Sequence, residues 1–275
     1  MNNIDKYNKG RVEIDLTYNC NLFCNNCSRC CGIAKSTKDD MSVADVQKFV
    51  KESVDLGYEW KRIKINGGEA VLNSQFVDIV GVLLQYKKKY NQTCVLEIGT
   101  NGYPKLSEKI QVLNVTAENI KVFNSNKAIG CSPHFFTFNV APYDFFEFNK
   151  FCFYKVANIC GYLCQCGTSL NKHGFYSCPM CAAIDRIFGF NLGFKKLSRY
   201  AIDKTCIQFL GLCKFCGMLR CEMYAKKTTN FFNCKHKHEL FLVNCKAVPL
   251  VSKKQVMSKS WKSALTKYKN KNCCF

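Results

Sequence analysis

The chain has 275 residues, 21 of them cysteine, and its 40 Lys plus Arg against 20 Asp plus Glu give a formal charge of +20. With 48% hydrophobic residues it is long and apolar enough to bury its own core, which excludes disorder as its main state and a small disulfide scaffold as its class. No apolar run reaches the roughly 18 residues of a membrane span, and Met1 to Leu16 has no signal-peptide stretch, so a cytoplasmic protein with reduced thiols is expected.

From Arg11 to about Val140, short apolar runs alternate with helical patterns, the signature of parallel strands joined by crossover helices. Val12–Leu16 reads as a first strand. Ser42–Leu56 reads as a helix, capped by Ser42 and carrying Val43, Val46, Phe49 and Val50 on one face. Arg62–Ile65 is a second strand, followed by Gly67-Gly68 and a helix near Ser74–Tyr86. Val95–Ile98 is a third strand ending in Thr100-Asn101-Gly102, with a short helix at Lys105–Leu113 after it. Ile120–Phe123 and Phe135–Val140 read as fourth and fifth strands.

Beyond about Lys150 the alternation fades and cysteine, glycine and aromatic residues dominate, so a metal cross-link is expected there. The last stretch, Lys246–Phe275, has eight lysines and no acid. Trp261, Ala264 and Leu265 give it a weak helical face, but a frayed tail is expected. Charge and cysteines are split unevenly: residues 1–122 carry +3 and six cysteines, residues 123–275 carry +17 and fifteen.

Cys20, Cys24 and Cys27 directly follow the first strand. Three thiolates at C-x3-C-x2-C can each bind one iron of a cubane and leave the fourth iron open to an exogenous ligand. A zinc knuckle is the alternative, with Cys30 or Cys31 as fourth ligand. Gly67-Gly68-Glu69 follows the second strand and Gly99-Thr100-Asn101-Gly102 ends the third, so all three segments stand at carboxyl ends of strands, where parallel α/β folds bind ligands.

Together these segments resemble the radical S-adenosylmethionine superfamily: a cluster-binding cysteine loop, a GGE motif and a TNG segment in the family's order. The resemblance implies a partial (β/α)6 TIM-like barrel over residues 10–155 and a 4Fe-4S cluster on Cys20, Cys24 and Cys27. It further implies S-adenosylmethionine held by Gly67, Gly68, Glu69, Thr100 and Asn101. Many members place an aromatic residue just before the third cysteine, near the adenine; here that position is Asn26, with Phe23 the aromatic nearest to it.

A second cysteine group lies in the basic part. Cys166, Cys178, Cys213 and Cys216, with Cys160, Cys164, Cys181 and Cys221 as substitutes, are similar to the ligands of SPASM or twitch domains that carry an auxiliary 4Fe-4S cluster. A structural zinc ribbon is the alternative. This gives a small cysteine-rich domain at 156–230 and a basic extension at 231–275. Asn139 and Asp144 are candidate substrate contacts, Asp144 being more simply a helix cap. Asp185-Arg186 reads either as lining a pocket between domains or as a local ion pair.

The resemblance favours an enzyme modifying a peptide, with oxidation or rearrangement of a carbohydrate or small metabolite, or tRNA modification, as alternatives. Its partners would include a flavodoxin or ferredoxin-type electron donor. The charge alone is also compatible with a non-catalytic zinc or iron module that binds nucleic acid.

Overall fold

The computed structural model describes residues 10–102, 108–109, 120–125, 136–145, 160, 165–202, 206–219, 252 and 254–272. The fold is α/β. Strands β1 (Arg11–Asp15), β2 (Arg62–Asn66), β3 (Val95–Thr100) and β4 (Ile120–Asn124) run parallel, and β5 (Thr168–Asn171) and β6 (Gly174–Tyr176) complete a sheet ordered β4-β3-β2-β1-β5-β6. Sequential strands lying side by side is the winding of a partial (β/α) barrel. It brings the carboxyl ends of β1, β2 and β3, and the loops that follow them, to one edge.

The period-two pleat explains the layering. Val12 pairs with Ile63, Ile14 with Ile65, Ile63 with Leu96 and Ile65 with Ile98, so one face is a continuous apolar surface. Helices α1 (Val43–Asp55) and α2 (Phe76–Tyr90) bury Val46, Phe49, Phe76, Ile79, Val80 and Leu83 in the core on that face. The alternate positions Glu13, Asp15, Lys64 and Glu97 lie on the other face, where Lys64 and Glu97 pair at 2.9 Å. Helix α1 starts at Ser42 as expected: the Ser42 hydroxyl accepts from the Asp45 amide at 3.3 Å while the Asp45 carboxylate accepts from the Ser42 amide at 2.8 Å. Helix α2 runs past the expected Tyr86 to Tyr90, and Lys87, Lys88 and Lys89 suit the negative end of its dipole.

Three expectations change. Residues 136–140 turn instead of forming a fifth strand: Phe138 N–H donates to the Phe136 carbonyl at 2.7 Å and Val140 N–H to that of Thr137 at 3.2 Å. The next strand is β5, which pairs with β1 in parallel, and it forms an antiparallel hairpin with β6. A hairpin from the cysteine-rich part of the chain therefore extends the main sheet.

The tail, expected to fray, forms a helix at Lys259–Asn272. It packs on α3 (Pro179–Phe188), in a second core with α5 (Cys206–Leu212); a short helix, α4 (Leu197–Ile202), precedes α5, and the C-terminal helix is α6. The weak face is enough because Trp261 is fully buried, edge-on to Phe138 and Phe188, with its indole N–H on the Phe215 carbonyl at 2.8 Å. Asp144 does cap a helix, but a distant one: its carboxylate accepts from the Ser260 amide at 2.9 Å and from the Ser260 hydroxyl. The helix expected at Lys105–Leu113 lies almost wholly outside the described residues, as do Cys164 and Cys221. Among the described residues no helix is long and apolar enough to cross a membrane.

Candidate metal and cosubstrate site

The edge formed by the strand ends holds a cavity of about 210 Å³. Cys20, Cys24, Cys27, Gly67, Gly68, Thr100 and Asn101 all line it, with Cys31, Arg29, Lys64, Asn66 and Phe123 among the other walls. Glycine is required at 67 and 68 by the cysteine loop itself. Gly67 has φ 143°, and a Cβ there would overlap the Thr17 carbonyl; at Gly68 it would overlap that of Asn19. The two loops are zipped together where they touch: Gly68 N–H donates to Thr17 O at 2.7 Å and Glu69 N–H to Asn19 O at 2.8 Å.

Glu69 is buried, and its Oε2 accepts the Asn101 amide at 2.7 Å, linking the loop after β2 to the loop after β3. Asn101 in turn donates from Nδ2 to Asn21 Oδ1 at 2.7 Å and lies 3.9 Å from Cys20 Sγ. Behind this edge, the Arg29 guanidinium stands 2.6 Å from Glu13 and 3.4 Å from Asp15. Burial pushes the Asp15 carboxyl up to about 6, against the opposing pull of Arg29.

The donor set fits a cationic cluster. Burial pushes the Cys20 thiol up, opposed by the Leu22 amide and reinforced by Cys27, Glu69 and Cys24. Such crowded thiols ionise together only with a cation between them. Among the described residues no three His, Cys, Asp or Glu side chains close up tightly enough for one bare ion. A cubane needs no such convergence, because it spreads its thiolates over separate irons.

Neither Asn26 nor Phe23 supplies the aromatic wall that many family members have. Phe23 is 71% exposed beneath the Lys35 ammonium and is not among the cavity's walls, and Asn26 also faces elsewhere. The aromatic wall is Phe123, at the end of β4, with the Lys64 ammonium 4.8 Å from its ring centre. An apolar residue at the carboxyl end of the fourth strand was the available signal for it.

The second cysteine group gathers in the core around α3. Cys178 and Cys181 approach to 3.6 Å, and Cys213 and Cys216 are drawn together by the tight turn that follows α5, where the Cys216 amide donates to the Cys213 carbonyl at 3.0 Å. Cys160, Cys166 and Cys213 pack against the same core. Cys178 stands at the start of α3, and its thiol is lowered chiefly by the Cys181 thiol, then, against burial, by the Cys181 and Met180 amides. The Cys181 thiol is pushed up by Cys178 and Cys213, with burial adding to both. Burial, reinforced by Glu13 and then by Cys178, pushes the Cys166 thiol up to about 12, with Arg29 opposing. Cys181 thus has closer thiol company than Cys166, and its C-x2-C spacing from Cys178 was the legible sign.

Asp185 and Arg186 do not pair with each other. Asp185 accepts from the Tyr176 hydroxyl at 2.7 Å and the Leu192 amide at 2.9 Å. Arg186, 4.0 Å over the Tyr18 ring, donates to the Arg29 carbonyl at 3.2 Å and to the Tyr268 hydroxyl at 2.8 Å, and stands 3.6 Å from Asp39. Asn139 is buried rather than facing the cavity, its Nδ2 3.5 Å from Cys30 Sγ.

The fold and site thus define an α/β protein with a thiol-rimmed cavity at the carboxyl ends of parallel strands. No family model matches the chain. It is similar to GTP 3',8-cyclase of Aliarcobacter butzleri (strain RM4018), 28% identical over 119 residues, which are 42% of this chain and 35% of that protein. The match therefore spans about a third of that relative's length. Among solved structures, BtrN in complex with AdoMet and 2-DOIA aligns with a TM-score of 0.47 and 14% identity, covering 74% of this chain and 87% of that one. SeMet BtrN in an open conformation aligns at 0.41 and 15%, covering 74% and 85%.

Proposed function

We propose that this chain is a radical S-adenosylmethionine enzyme. The observation that carries the reading is the convergence of three separate strand-end segments, Cys20 to Cys27, Gly67 to Glu69 and Thr100-Asn101, on one cavity and its immediate support. Cys20, Cys24 and Cys27 would hold a 4Fe-4S cluster, which when bound supplies the electron that cleaves S-adenosylmethionine to methionine and a 5'-deoxyadenosyl radical. Glu69 offers a carboxylate for the cosubstrate's ammonium, and Asn101 an amide side chain beside Cys20. Phe123 offers an aromatic face to the adenine or the substrate. Gly67 and Gly68 let the loop after β2 seat directly on the backbone of the cysteine loop, so that both loops line one cavity.

We assign the second thiol group, Cys178, Cys181, Cys213 and Cys216 with Cys160 and Cys166 beside them, to an auxiliary cluster. Its likeness to SPASM or twitch domains favours a peptide as substrate. The basic half of the chain suits an acidic electron donor.

Anaerobic reconstitution with iron and sulfide tests the reading. About eight irons per chain, four per cubane, and reductive formation of 5'-deoxyadenosine are expected; uptake of zinc alone, with no cleavage, would sink it.

A further inference from the structure

Asn26 lies between the second and third cysteines of the loop, 4% exposed, with φ 55°, in the left-handed region that asparagine tolerates better than most residues. Its side chain turns from the cavity into the segment preceding α6. Nδ2 donates to the carbonyls of Ser252 at 2.9 Å and Lys254 at 2.8 Å. Oδ1 accepts from the Val256 amide at 3.0 Å and from Gln255 Nε2 at 3.3 Å. The Asn26 amide itself donates to Gln255 Oε1 at 2.7 Å. Both hydrogens and both lone pairs of the carboxamide are thereby used, an arrangement no other side chain of that size reproduces.

Gln255 carries the contact further. Its Nε2 also reaches Asn139 Oδ1 at 3.0 Å, and Asn139 Nδ2 reaches Cys30 Sγ at 3.5 Å. The residue before Asn139, Phe138, accepts the Gly217 amide at 3.0 Å, one residue beyond Cys216 of the second thiol group. The Ser258 amide donates to the Asn139 carbonyl at 3.0 Å, and its hydroxyl accepts from the Ala141 amide at 3.0 Å, which fixes the segment as it enters α6. One chain of hydrogen bonds thus runs from the first cysteine loop through the C-terminal segment to the turn that carries Cys213 and Cys216.

We propose that Asn26 and Gln255 are positioning residues, which lock the C-terminal segment onto the cysteine loop, hold Cys24 and Cys27 in place, and join the two thiol groups into one mechanical unit. The inference rests on the reading above only for the metal those thiols receive. The physical reason is local: the loop makes few apolar contacts of its own, the small cluster of Tyr18, Cys20 and Cys31 with Leu22 and Cys27 packed against it, so hydrogen bonds from outside must set the conformation at Asn26.

The test uses the full, metal-free chain and iodoacetamide, with alkylation at each cysteine followed by peptide mass spectrometry. Asn26→Asp sets a carboxylate against the Ser252 and Lys254 carbonyls, and Gln255→Glu sets one against the Asn26 and Asn139 oxygens. Each change should speed alkylation of Cys24 and Cys27 about tenfold while Cys94, buried under the sheet, stays unchanged. The double variant should be no faster than the faster single one, because both break one contact. Unchanged rates at Cys24 and Cys27 would overturn the proposal, and so would equal acceleration at Cys94, which reports general loosening. After reconstitution the same variants should lose about four of eight irons and the electron paramagnetic signal of the first cluster. A wild-type chain that takes up no iron would sink the proposed function instead, and the alkylation rates would still decide the role of Asn26 and Gln255.

Discussion

Glu69 accepts the Asn101 amide at 2.7 Å, and through that bond the loop after β2 holds the loop after β3 at the edge of the cavity they both serve. The same carboxylate is the group proposed to receive the cosubstrate's ammonium, so its two roles separate by substitution. Glu69→Gln keeps a neutral acceptor for the amide and removes the charge; stability should change by less than about 1 kcal/mol, while calorimetry should show S-adenosylmethionine binding weakened about tenfold. Glu69→Ala leaves a buried amide unmet and should cost about 1–3 kcal/mol of stability as well. Wild-type affinity in Glu69→Gln would leave the residue a loop-holding role alone.

Cys181 and Cys166 distinguish two versions of the second site. Cys181 lies 3.6 Å from Cys178 and is influenced next by Cys213, whereas the charges of Glu13 and Arg29 act on Cys166 more strongly than that of Cys178. Cys181→Ser should therefore lower iron uptake by up to about four atoms, and Cys166→Ser should leave it near the wild-type value. The reverse result would move the ligand set back to Cys166. Each measurement is an iron count on the anaerobically reconstituted chain.

Legibility followed the range of the interactions. Strands β1 to β3 and helix α1 were readable because each is set by near neighbours: alternation in Val12 to Leu16 and the Ser42 cap answered by Asp45. The strand-end segments were readable only as motifs, since the Thr17 and Asn19 carbonyls that require Gly67 and Gly68 lie on a different loop. Residues 135–140 alternate just as well, yet Phe138 is drawn into the second core by Trp261, and its carbonyl is taken by Gly217. The pairing of β5 with β1 joins Thr168 to Val12, a register with no local sign. At Asn26 the pattern showed only that an aromatic was missing; the partners that explain the asparagine lie at 252–256, 226 residues or more along the chain.

Trp261 carries the C-terminal helix. It is fully buried against Phe138 and Phe188, and its indole N–H meets the Phe215 carbonyl. Trp261→Ala removes the largest buried side chain of α6 and strands that carbonyl, at a cost of about 3–5 kcal/mol. Denaturant melts should show this loss, with hydrogen exchange rising first in α6 and at 252–256. Exchange unchanged in 252–256 would mean that the segment is held by Asn26 without help from the helix.

Asp39 gives the stability a predictable dependence on pH. Its carboxylate lies 2.9 Å from His173 Nε2 and 3.6 Å from the buried Arg186 guanidinium. Burial alone would raise its pKa, but the His173 hydrogen bond and the Arg186 and His173 charges outweigh it and hold the group below the ordinary carboxylate value. A depressed carboxylate pKa means that the unfolded chain binds the proton first, so the stabilisation is complete above the unfolded value of about 3.9 and is lost as pH falls through the folded value. Asp39→Asn should cost about 2 kcal/mol at neutral pH, and the gap to wild type should close as both are titrated downward from about pH 4. Thermal midpoints of the two proteins, measured side by side across that range, are the check: curves that stay parallel into acid would show that Asp39 acts through its shape and hydrogen bonds, and that its charge contributes nothing to holding α3 and the β5–β6 hairpin against the cysteine loop.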